Sequence, residues 1–162
     1  MMQKVILKCK LLALLAMSPT SLFSQDKIYF ESESRPIVEV VVNGVRTSML
    51  VDTGSSLNII DVNQLINLGV KKRFKMSSAS AVFGKTTMWQ LLECDVRFQG
   101  INVYQFTATD IEMVVHSIEH NTGIKIAGII GTPAIKELGM IIDLRRGIVT
   151  LSENITISKL NN

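Results

Sequence analysis

The stretch Leu50-Val51-Asp52-Thr53-Gly54-Ser55-Ser56 decides the reading of this 162-residue chain. An apolar run delivers a carboxylate at its end, and a residue without a side chain follows two places later. Thr53 offers a hydroxyl for a fixed local hydrogen bond, and Gly54 lets backbone approach closely. Ser55 and Ser56 add donors for a carboxylate oxygen. A carboxylate set between donors and apolar walls suits general acid–base work. The triplet alone also fits a plain strand-ending turn, so its surroundings carry the argument.

On the N-terminal side, Ile37-Val38-Glu39-Val40-Val41-Val42 is rich in β-branched residues and reads as a strand. Asn43-Gly44 is a strong hairpin signal because both residues tolerate positive φ. The return strand, 45–51, ends at Asp52. On the C-terminal side, 56–60 reads as a short strand, and Asp61 as the cap of a helix through about Leu68 that Gly69 stops. Strand-like runs follow at 81–83, 86–92, 96–98 and 103–107, with turns at Gly84-Lys85 and Gly100. Residues 110–123 read as a loop with some extended structure. The apolar run Ile126-Ala127-Gly128-Ile129-Ile130 ends at Gly131. Thr132-Pro133 then supplies an N-cap and a proline at the first helical position of a short helix that Gly139 stops. A hairpin of 140–144 and 147–151 turns at Arg145-Arg146. The pattern is mainly β with one or two short helices.

The first 24 residues differ in kind. Lys4, Lys8 and Lys10 precede Leu11-Leu12-Ala13-Leu14-Leu15-Ala16-Met17, and Ser18-Pro19-Thr20-Ser21 follows. Basic, apolar and small-polar segments in that order are the layout of a signal peptide, cleaved near Ser24. An uncleaved anchor is the alternative, against which the shortness of the apolar run counts. The expected organisation is a leader at 1–24, a segment at 25–36, one domain at 37–152 and a tail at 153–162. A secreted or periplasmic location follows, with no membrane attachment after cleavage.

Without the three leader lysines, the basic residues equal the 14 acidic ones in number. The high overall pI therefore gives no reason to expect nucleic acid as a partner. The one basic cluster, Lys71-Lys72-Arg73-Phe74-Lys75, reads as a solvated loop or strand end. Cys94 alone follows the leader, which excludes an intramolecular disulfide, and reads as a buried small hydrophobe. Phe83-Gly84-Lys85-Thr86-Thr87 lacks the first glycine of a phosphate-binding loop, since residue 79 is Ala. His116 and His120 have no third ligand at metal-site spacing and read as exposed. No cofactor or metal is expected.

Carboxylate-driven hydrolysis of an amide needs two groups, one ionised and one holding the proton. No second Asp-Thr-Gly exists here, and Asp61, Asp95, Asp110 and Asp143 lack comparable surroundings.

The strand, Asn-Gly turn, strand and Asp-Thr-Gly-Ser from Val38 to Ile60 resemble the N-terminal half of a retropepsin-like aspartic protease. The run to Ile129-Ile130-Gly131, about 75 residues further on, with its helix and hairpin, resembles that family's second signature. The resemblance covers nearly all of 37–151. It implies a closed β-barrel of the retropepsin-like, acid-protease kind. It implies Asp52 as catalytic residue, Thr53 tying two active-site loops together, and Gly54 and Ser55 lining the loop. Phe83 and Gly84 fall where the family has its substrate-covering flap. A homodimer then supplies the second aspartate, and a polypeptide is the substrate of an aspartic endopeptidase. The rival expectation is a catalytically inactive domain of this fold that binds peptides or a protein partner.

Overall fold

A computed structural model describes residues 28–29, 35–76, 79–81 and 84–152. The leader, Phe83 and the 153–162 tail lie outside the described residues. The strands are β1 (Ile28–Tyr29), β2 (Ile37–Val42), β3 (Val45–Val51), β4 (Asn58–Asp61), β5 (Lys71–Lys75), β6 (Ala79–Ala81) and β7 (Gly84–Thr86). They continue with β8 (Trp89–Leu92), β9 (Val96–Phe98), β10 (Ile101–Val103), β11 (Phe106–Thr109), β12 (Ile126–Ile130), β13 (Met140–Asp143) and β14 (Ile148–Leu151). Helix α1 (Glu112–Thr122) precedes β12, and α2 (Thr132–Glu137) follows it.

In β2 the alternation expected of a half-buried strand holds, with Val38, Val40 and Val42 inward and Glu39 outward. Asn43 and Gly44 both take positive φ, 48° and 84°, and so fold β3 back with Val42 opposite Val45. β12 is buried along its whole length. That accounts for its unbroken apolar sequence: it runs inside the sheet, parallel to β3 on one side and antiparallel to β4 on the other.

Nine strands form one sheet in the order β10-β9-β2-β3-β12-β4-β11-β8-β5. This order fixes the shape. β10 and β11 stand six ladder steps apart, about 29 Å in a flat sheet at about 4.8 Å per step. Yet only Tyr104 and Gln105 separate them in the chain, a link of about 11 Å at most. The sheet must therefore roll round on itself, and it encloses one core, with Met49, Ile60, Phe98, Ile130 and Leu138 fully buried. Asn43 fastens the roll. Its Nδ2 donates to Gly69 O (3.1 Å), just before β5, and to Glu93 O (2.9 Å), just after β8. Its Oδ1 accepts from Asp95 N (2.8 Å), just before β9.

Two expectations change. Residues 110–123 are mostly helix, not loop: Ile111, Val115 and Ile118 repeat at helical spacing and pack with Leu50, Ile126 and Ile129 in a second apolar cluster. Gly123, read as part of that loop, is the helix's left-handed C-cap (φ 71°). Conversely, 62–69 is a run of turns, and Asp61 is the last residue of β4. Asp61 Oδ1 accepts from Asn63 N (3.3 Å), a local turn that competes with helix. The basic cluster forms β5, exposed at every position at the outer edge of the sheet. Cys94 is only partly buried. Burial, and then nearby Asp95, pushes its thiol up to about 11, which disfavours the thiolate a nucleophile needs.

Candidate active site

β3 and β4 are not neighbours, because β12 lies between them. The loop 52–57 must therefore arch over the C-terminal end of β12, and this explains nearly every local bond. Asp52 N donates to Ile130 O (2.9 Å), fixing the start of the arch to the end of β12. Gly54 N donates to Asp52 Oδ1 (2.8 Å), which holds the carboxylate in one orientation and satisfies one of its oxygens. Ser55 does not reach the carboxylate. Its hydroxyl donates to Leu57 O (2.8 Å), and its carbonyl accepts from Thr132 N (2.8 Å) and Thr132 Oγ1 (2.6 Å).

The underside of the arch explains Gly131. A Cβ there would stand 2.2 Å from Leu57 O and 2.8 Å from Ser55 O, inside van der Waals contact. The residue's backbone is extended (φ −94°), so crowding alone requires glycine. Gly128 is held the same way, against Ile59 O at 2.1 Å. Thr132 is the first helical residue of α2, with Gly131 as its N-cap, so its hydroxyl serves the arch and not the helix end.

Asn58 was not singled out from the sequence. It is 1 % exposed; its Oδ1 accepts from Gly131 N (2.9 Å) and its Nδ2 donates to Tyr104 O (2.8 Å). The available signal was one amide inside the apolar run Leu57-Asn58-Ile59-Ile60, where a buried polar group needs partners.

The outcome is a carboxylate anchored from behind and open in front. Asp52 is half-buried, and Thr53 and Gly54 are exposed. In front lies a cavity of about 400 Å³ whose floor is Leu50, Val51, Asp52 and Thr53. Arg35 and Pro36 form one wall, and Ile142 and Leu144 the other. Among the described residues, Asp52 is the only acid lining it. Gly84 begins β7 in the hairpin β6–β7, which continues the pair β5–β8 outward through Met76 N to Met88 O (2.8 Å). The two histidines sit on α1, both exposed, with His116 Nε2 3.6 Å from Glu112.

A family model described as aspartyl protease matches residues 38–134, from the middle of β2 into α2. No curated protein matches the sequence significantly. Among solved structures, the retroviral protease-like domain of Ddi1 from Leishmania major is similar with a TM-score of 0.53 at 19 % identity. The match covers 74 % of this chain and 90 % of that one. The EIAV protease in complex with the inhibitor HBY-793 is similar with a TM-score of 0.50 at 17 % identity, covering 69 % and 95 %. At such identities the likeness is one of fold, and the fold is the retropepsin-like one.

Proposed function

The chain belongs to the aspartyl protease family, and from that premise we propose that it is an aspartic endopeptidase whose site is completed by a second copy of itself. The observation that carries the proposal is the half-built centre. Asp52 is oriented by Gly54 N and faces a cavity that, among the described residues, no other carboxylate lines. The exposed loop residues Thr53 and Gly54 then meet the same loop of a partner across a two-fold axis, with Thr53 joining the two loops. Beside the loop, Leu144 (62 % exposed), which follows β13 in the chain, lines the same cavity and presents apolar surface. A partner would cover that surface.

Two Asp52 carboxylates at that axis share one proton. The ionised one takes a proton from a water held between them, and the water oxygen attacks the amide carbon. The protonated one gives its proton to the carbonyl oxygen. Collapse of the tetrahedral intermediate breaks the C–N bond as the leaving nitrogen is protonated, and the dyad returns with one proton. The hairpin reaching from β5–β8 through β6–β7 is the cover over the substrate. The signal-peptide layout of residues 1–24 supports a secreted or periplasmic location for this activity.

The test uses the chain from residue 25 and an unstructured protein as substrate. Wild type is expected to cut it at acidic pH, and Asp52→Asn to leave it intact. No cleavage by wild type from about pH 3 to 8 would refute the hydrolase and leave a peptide-binding domain.

A further inference from the structure

We propose that this site selects polypeptides carrying a carboxylate side chain beside the bound segment, and that Arg35 reads it. The inference rests on the proposed peptide-binding cleft and adds the chemical class of its ligand. Among the described residues, Arg35 is the only cation lining the cavity in front of Asp52. Besides Asp52 and Thr53, the other described residues that line it are Pro36, Leu50, Val51, Ile142 and Leu144, all apolar. Among the described residues no carboxylate forms an ion pair with Arg35, Asp52 included.

The position of this guanidinium is built. Pro36 holds the preceding residue in extended backbone. Its carbonyl accepts from Val51 N (2.8 Å), one residue before Asp52. The Arg35 backbone is thereby tied to the strand end that delivers the carboxylate, which fixes the point beside the cavity from which its side chain starts. A guanidinium fork against apolar walls matches a carboxylate in two-point hydrogen bonding, which an ammonium does not.

The second observation is the charge on β5, an edge strand of the same nine-stranded sheet. Lys71, Lys72, Arg73 and Lys75 are all exposed on β5. Glu93 offsets only Lys71 (3.4 Å), and Lys72 lies over the Trp89 ring (4.9 Å). Lysines on an outer strand also discourage sheet-to-sheet aggregation, which accounts for β5 without any ligand. That account does not reach Arg35, which precedes β2 and lies at the cavity. Arg35 therefore carries the selectivity, and β5 adds a positive field that draws an acidic chain towards the cleft.

The experiment uses the Asp52→Asn chain, which binds without cutting, and pairs of fluorescent extended peptides differing only as Glu against Gln. Anisotropy titrations are expected to favour the Glu peptides about ten- to a hundredfold. Arg35→Gln on that background is expected to abolish the preference, and Arg35→Lys to keep part of it. Equal binding of Glu and Gln peptides with Arg35 intact overturns the proposal. So does a drop to monomer mass in Arg35→Gln, which would make Arg35 a subunit contact. Wild-type cleavage of the same peptides is scored separately. Cleavage without acidic preference overturns this inference alone, whereas acidic preference without cleavage supports it and overturns the hydrolase.

Discussion

Gly131 shows how much of the centre is decided by single atoms. Any β-carbon there meets two carbonyl oxygens of the arch, and backbone cannot rotate away as a side chain can. Gly131→Ala is expected to cost about 3 kcal/mol or more in urea unfolding and to lower activity with it. Asn58→Ala removes no bulk from the arch but strands Gly131 N and Tyr104 O in a buried place. A loss of about 2–4 kcal/mol is expected from those two groups. Asp61 makes a different prediction. Burial, opposed by backbone donors from Asn63 and Ile111, raises its carboxyl above 3.8. The folded chain then keeps this proton at a pH where the unfolded chain has released it. Its contribution is present at low pH and is lost as pH rises through the raised value. Asp61→Asn should flatten that fall in thermal melts taken at pH values rising from 3.8, and should be relatively more stable at the upper end of the series. The turn that joins Asp52 and Gly54 was readable in the sequence because the bond between them is local. Asn58 and Arg35 were not, since their roles depend on residues far along the chain that fold beside them.

Among the elements, β12 and the Asn-Gly hairpin were legible because burial on both faces and positive φ leave direct marks in sequence. Helix α1 was not. Its inward residues Ile111, Val115 and Ile118 have the right spacing, but Val114, Val115, His116, His120, Asn121 and Thr122 are weak helix formers. Tertiary packing on Leu50, Ile126 and Ile129 overrides that weakness. The 62–69 segment failed in the opposite sense, since Asp61 was spent on a strand and an Asx turn before any helix began. The Asn43 turn yields the prediction at this scale. Asn43→Gly keeps the backbone angle and loses three side-chain bonds, for about 1–2 kcal/mol. Asn43→Ala loses the same bonds and adds about 1–2 kcal/mol for positive φ. Denaturant midpoints of the two variants separate the fastening role from the turn.

At the scale of the whole molecule, the fold was legible and its completion was inferred from what one copy lacks. Light scattering should find a dimer, and Leu144→Glu should shift it to monomer and abolish cleavage while leaving the circular dichroism unchanged. Exchange offers an independent check. Mixing wild type with an equal amount of Asp52→Asn should halve the activity of the wild type present, because half its subunits pair with an inactive copy. The threading of β12 between β3 and β4 has a consequence in time. Every bond that anchors the arch from behind comes from Asn58 or from residues 130–132, and Asn58 itself docks on Gly131. During synthesis Asp52 emerges early, with nothing yet to hold it. Contacts between residues so distant form late and slowly. The arch is thus without its support in a growing chain until the last third has been made, and the fold acts as its own delay.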